Sequence, residues 1–250
     1  MVGRQRWEQR DTDRDVEMLV WISRFRFVTA EVVAERFGIA VQRARARLKR
    51  LEAAGLLGSW RGHVSQAKAF WITSRGGAVI GQRRRRPPQP TQAREHEDAI
   101  VWLAARTELR AAGVTVLTER ECRGAERRHP EGRAYSVEVY SSGGRNDRRR
   151  WPDLVIVRNG VRQAIEIEFT LKYSPRLKAI VGGYGSSTYG RVIFYVRGPR
   201  LAARLHRMCA ERMKPLPGLS YSGPELVVWP WIGLDDADKR AIWRATDRAS

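Results

Sequence analysis

Two short apolar segments, residues 151–157 and 163–170, constrain this chain most, because acids interrupt them at a few fixed places. Arg158-Asn159-Gly160 joins them as a turn, so they read as two strands of a hairpin. Burying an unpaired carboxylate in an apolar strand is costly, so such acids have a reason. Asp153 sits near the start of the first strand. Glu166 and Glu168 are two residues apart and point to one face of the second. Three carboxylates are therefore expected to converge on one side of the hairpin, an arrangement that holds a hard divalent cation such as Mg²⁺ against a phosphate. The structural alternative is that Glu166 and Glu168 pair with Arg162, Arg191 or Arg197 across strands and that Asp153 caps a turn after Pro152.

Charge points to the partner. The chain has 250 residues, enough for one large domain or two small ones, and a formal net charge of +20. Such an excess predicts attraction to a polyanion, and nucleic acid is the usual one. Most of the basic residues are Arg, which suits bidentate contacts to phosphate and guanine. Cys122 and Cys209 are far apart without metal spacing and fit a reducing cytoplasm. Residues 1–14 are polar and charged, so no secretory leader is expected. No apolar run approaches the ~18 residues of a membrane span.

The apolar spacing of residues 15–28 predicts a helix. Thr29 is a candidate N-cap for a second helix over 30–37, which Gly38 ends. A third helix, 40–54, carries Val41, Ala44, Leu48 and Leu51 on one stripe and ends at Gly55. Strands over 56–61 and 67–72 flank a polar tip, and Thr73 or Ser74 caps a short closing helix. This order resembles a winged helix-turn-helix domain over residues 11–81. Its most specific part is Leu48-Lys49-Arg50-Leu51-Glu52-Ala53-Ala54-Gly55-Leu56-Leu57. Opposite the apolar stripe lie Gln42, Arg43, Lys49 and Arg50, flanked by Arg45 and Arg47, a face suited to a major groove. Arg61, His63 and Lys68 on the wing are placed for phosphate or the minor groove. Residues 82–91 read as a Pro-rich linker whose Arg83, Arg84, Arg85 and Arg86 can track a phosphate backbone. The alternative for this half is a winged helix used for protein contacts.

Residues 92–250 read as a helix to about 112, a strand over 114–118, and a polar, basic stretch over 119–150 with a strand at 134–140. The two acidic strands follow, then a helix or loop over 173–190 with a glycine-rich tail. A strand over 191–196, a helix over 201–213, a strand over 225–229 and a closing helix over 235–246 complete the chain. Helix, strand, strand, strand, helix, strand, with acids on the central hairpin, resembles the PD-(D/E)xK nuclease fold. The expected architecture is thus a two-domain α+β or α/β protein, with a winged helix-turn-helix followed by a PD-(D/E)xK-like αβββαβ core. The resemblance implies that Asp153 and Glu166 bind Mg²⁺. The third motif position, normally Lys, is Glu168, and Lys172 is the nearest substitute. Glu97 and Glu119 are candidates for a further acid.

Both halves together are similar to the plasmid replication-relaxation protein family over residues 11 to about 197. That resemblance implies a cytoplasmic, double-stranded DNA-binding protein of a bacterial plasmid, phage or integrative element, with a nuclease-like domain that nicks or cleaves DNA. The alternative is a non-catalytic transcription or replication regulator whose second domain serves dimerisation or DNA clamping. A homodimer fits the winged helix, although no heptad marks one.

Overall fold

The computed structural model describes residues 13–61, 67–82, 94–129, 132, 134–140, 148–170, 174–214 and 220–231. Several expected features lie outside the described residues: His63, Arg83, Arg84, Arg85, Arg86, Lys172 and the helix over 235–246. The fold is mixed α/β, and the chain divides into two compact units, Met1–Ala112 and Gly113–Ser250.

The first unit contains α1 (Asp13–Ile22), β1 (Val28–Thr29), α2 (Ala30–Phe37), α3 (Val41–Ala53), β2 (Leu57–Trp60), β3 (Ala69–Ile72), α4 (Ser74–Val79) and α5 (Arg94–Arg110). The strands form an antiparallel sheet in the order β1-β3-β2. The core joins Met18, Leu19 and Ile22 of α1 to Val33 of α2, Leu48 and Leu51 of α3, and Phe70 of β3. Helix α1 stops sooner than the apolar spacing predicted, and the chain turns at Ser23 to reach β1. Gly38 ends α2 at φ 59°, a left-handed position that favours glycine. Thr73 caps α4, its hydroxyl accepting from the Gly76 N–H.

Helix α5 corrects the expected domain boundary. It was read as the opening of the second domain, yet it belongs to the first unit and packs on α2. Glu108 explains the attachment. Its carboxylate accepts from Trp21 Nε1 of α1 and Arg36 Nε of α2, each at 2.8 Å, and from Arg24 Nη1. The proline-rich stretch before α5 therefore does not mark where the packing changes.

The second unit contains β4 (Val114–Thr118), α6 (Glu119–Arg128), β5 (Val137–Val139), β6 (Arg148–Arg150), β7 (Leu154–Arg158), β8 (Val161–Glu168), α7 (Ser174–Gly185), β9 (Arg191–Val196), α8 (Pro199–Met213) and β10 (Glu225–Pro230). Five strands form one sheet in the order β10-β9-β8-β7-β4. Strands β4, β7 and β8 pair antiparallel, whereas β8, β9 and β10 run parallel. Two β-α-β crossovers therefore carry α7 and α8. Leu177, Ile180 and Tyr184 of α7 join Leu201 and Leu205 of α8 in one core with Ala164, Val192 and Phe194 of the sheet. A separate two-stranded ribbon, β5-β6, lies against α7. Gly183 permits that approach: a Cβ there would lie 2.5 Å from the Glu138 carbonyl oxygen.

Helix α6 was not expected, since residues 119–150 read as a polar loop or hairpin. It has one buried side, at Cys122 and Glu126, and a capping box at its start. Thr118 accepts from the Glu121 N–H, and the Glu121 carboxylate accepts from the Thr118 N–H. No helix of the described residues is long and apolar enough to cross a membrane.

Two outcomes follow from this packing. Glu108→Ala leaves Arg24 and Arg36 without their carboxylate and is expected to cost the first unit about 3 kcal/mol in urea unfolding; stability equal to wild type would contradict the attachment. Burial pushes the thiols of Cys122 and Cys209 up to about 12. Alkylation at pH 8 should therefore be negligible in the native protein and complete after denaturation.

Candidate functional site

The sequence placed functional residues in two groups, and the structure sorts both by what they touch. The first group lies around α3. Its buried stripe is Ala44, Leu48 and Leu51. Gln42, Arg43 and Lys49 are exposed and make no ion pair among the described residues. With Ala46 they form the outward face of the helix.

The remaining cations of α3 are engaged internally. Arg47 Nη1 and Arg50 Nη2 both donate to Asp15 of α1, a carboxylate only 1 % exposed. Arg45 Nη2 donates to Glu31 of α2 at 2.7 Å. Arg45, Arg47 and Arg50, expected on the DNA-facing side, thus also tie α3 to its neighbours, while Arg45 and Arg50 keep exposed side chains. Asp15 was missed, although an acid opening a helix beside an Arg-rich one was a visible signal.

On the strand pair, Lys68 bonds Glu52 at 2.7 Å, and Ser59 donates to the same carboxylate. Arg61 is exposed. Arg94 of α5 holds both flanks of residues 62–66. Its guanidinium lies 4.8 Å from the Trp60 ring centroid, and it donates to the Ala67 carbonyl. Burial pushes its neighbour Asp98 up to about 6, while Arg94 draws it down.

The second group is the carboxylate set. Strands β7 and β8 pair Leu154 with Ile165, which places Asp153 opposite Glu166 and on the same face. Glu166 is 2 % exposed and Glu168 5 %. The face they share is the one packed under α7 and α8. Arg150, from the end of β6, grips Glu166 through two nitrogens: Nε donates to Oε1 at 3.2 Å, and Nη2 donates to Oε2. The Tyr184 hydroxyl of α7 donates to Oε1 as well. Asp153 Oδ2 accepts from the Ile167 N–H at 2.8 Å, extending the β7–β8 ladder by a side chain.

Electrostatics follows from this geometry. Burial pushes the Glu166 carboxyl up and Asp153 adds to the effect, while Arg150 pulls it down. Burial opposes the charge on Arg150, yet Glu166 holds the guanidinium firmly protonated. The two-point contact is that of an ionised pair. Burial and the Glu166 charge keep Tyr184 protonated, as its donor role requires.

The convergence of three carboxylates is also corrected. Among the described residues, no three His, Cys, Asp or Glu side chains come together to hold a metal ion. Glu168 is buried, and Thr170 Oγ1 donates to it at 3.4 Å. The partner of Glu166 is Arg150, and neither Arg162, Arg191 nor Arg197 pairs with Glu166. Arg162 donates to the Ala134 carbonyl, and Arg191 pairs with Glu225. Of the further acids, Glu97 lies in the first unit against Arg26, and Glu119 pairs with Arg123. As arranged, these residues do not fit a divalent cation, because Arg150 and Tyr184 hold both oxygens of Glu166. Arg150 and Tyr184 were missed; each sits in a stretch read as polar or glycine-rich, where nothing local signals burial.

No family model matches the chain, and no curated protein matches it.

Removing one partner of a buried ion pair strands the other. Arg150→Leu is expected to lose about 3 kcal/mol in urea unfolding. Adding Glu166→Gln, which keeps an acceptor for Tyr184, should restore most of it. A double variant no more stable than the single one would contradict the pairing.

Proposed function

We propose that this chain is a cytoplasmic DNA-binding protein whose first unit is a winged helix-turn-helix. Its second unit is a PD-(D/E)xK-like core, as in the plasmid replication-relaxation proteins of bacterial mobile elements. The observation that carries this reading is the division of labour on α3. Arg45, Arg47 and Arg50 are held by acids of α1 and α2, while Gln42, Arg43 and Lys49 face outward around Ala46. A helix braced by ion pairs behind, with a small residue at the centre of its exposed face, suits close approach to base edges. Gln42 offers a bidentate contact to adenine, Arg43 one to guanine, and Lys49 a phosphate contact. Arg94 contacts Trp60 at the end of β2, and the exposed Arg61 that follows it offers a phosphate contact.

In the second unit the geometry favours the non-catalytic reading, in which the core clamps DNA or joins protomers. Arg150 supplies the positive charge that Asp153 and Glu166 need, from within the chain. Metal-dependent cleavage is the second reading, favoured by the side-by-side placement of Asp153 and Glu166. It requires Arg150 to leave Glu166 and Mg²⁺ to enter in its place.

Selection from random duplexes followed by anisotropy titration tests the first reading. Wild type should enrich a defined site. Gln42→Ala should relax preference at one base position by about 1–3 kcal/mol, whereas Lys49→Ala should weaken all duplexes alike. Binding indifferent to all three outward residues would overturn the proposal. For the second reading, supercoiled plasmid is incubated with Mg²⁺ or Mn²⁺. Nicking by wild type that Asp153→Ala abolishes would establish cleavage, and equal behaviour of the two proteins would remove it.

A further inference from the structure

Several cations of the first unit are paired with acids of neighbouring elements, and the second unit contains a row of arginines that is not. Helix α8 carries Arg200, Arg204 and Arg207 at spacings of four and three, so they stack along one side over about 10 Å of axis. Arg200 and Arg207 are exposed and Arg204 is half-buried. Helix α7 packs beside α8 and adds exposed Arg176 and Lys178. None of the five makes an ion pair among the described residues. The only acid on either helix is Glu211, in the last turn of α8. Neither helix has an acid in its first turn, where one would be stabilising. The row of Arg200, Arg204 and Arg207 is complementary in charge to a line of phosphates.

We propose that the outer face of α8 is a second nucleic-acid contact, in which Arg200, Arg204 and Arg207 lie along the phosphates of a duplex, with α7 contributing one of its exposed cations at the margin. An anionic membrane is the rival polyanion, and the packing disfavours it. A helix that lies on a bilayer needs a free apolar side, but Leu201, Leu205 and Cys209 of α8 are buried against the sheet. Arginine on successive turns suits bidentate phosphate contacts. The contact carries no base readout, so it supplies affinity without sequence preference. The inference goes beyond the reading of α3 and does not require it: the second unit would hold DNA even if α3 read nothing.

The test uses the full chain and a labelled duplex of random sequence, titrated across a series of salt concentrations. Arg200→Gln, Arg204→Gln and Arg207→Gln together should flatten the slope of log K against log salt by about 2–3, at roughly 0.9 per phosphate contact. Affinity at low salt should fall about tenfold or more. A slope equal to wild type would overturn the proposal. Wild-type protein gives an independent readout if the triple variant fails to fold. Phenylglyoxal modifies exposed arginines, and mass spectrometry locates them. Duplex should protect Arg200, Arg204 and Arg207. Unchanged modification with duplex, or protection by phosphatidylserine vesicles alone, would overturn it. A flattened slope in the triple variant with site preference intact separates this surface from α3.

Discussion

A carboxylate in the middle of a buried strand must be answered by a cation, and Glu166 sets the construction of the second unit by that demand. The sheet cannot move the acid into water, because α7 covers the face on which it lies. The answering charge comes from Arg150, at the end of a ribbon outside the main sheet. Tyr184 adds a donor from the covering helix. Three elements are thereby joined at one carboxylate: β6, β8 and α7. The charge pair also fixes the chemical character of the site, because a guanidinium engages both oxygens of the acid.

The same logic runs through the first unit. Asp15 fixes Arg47 and Arg50, Glu31 fixes Arg45, and Glu108 draws Arg24, Arg36 and Trp21 onto α5. Arginine here is first a fastener between helices. A large positive charge is thus a poor guide to where a polyanion touches. What matters is which cations lack an acid on a neighbouring element. By that criterion the outward face of α3 and the outer face of α8 are both open to a polyanion.

The elements with a local signal were legible in advance. Helix α3 follows its apolar stripe and stops near Gly55 as expected, β2 and β3 flank the polar tip, and Thr73 caps α4. Helix α6 was legible too, through Thr118 and Glu121, but its high charge hid it among loop residues. The boundary between units was not legible, because Glu108 reaches α1 and α2 across more than seventy residues of chain. Nothing in the local spacing of α5 records that distance.

Periodicity and composition by themselves determined that two acids share a face of β8, that a basic helix presents Gln and Arg opposite its apolar stripe, and that the chain carries a large positive charge. These are local or summed properties, fixed by the spacing of side chains along one element or by counting charges. Only the tertiary structure decided which cation meets which acid. An ion pair is made by residues that the fold brings within a few ångströms, and Arg150 and Glu166, or Arg47 and Asp15, carry no mark of each other in the order of the chain. The chemistry of the site belongs to that level, because a carboxylate held by arginine and the same carboxylate open to a metal are identical in sequence.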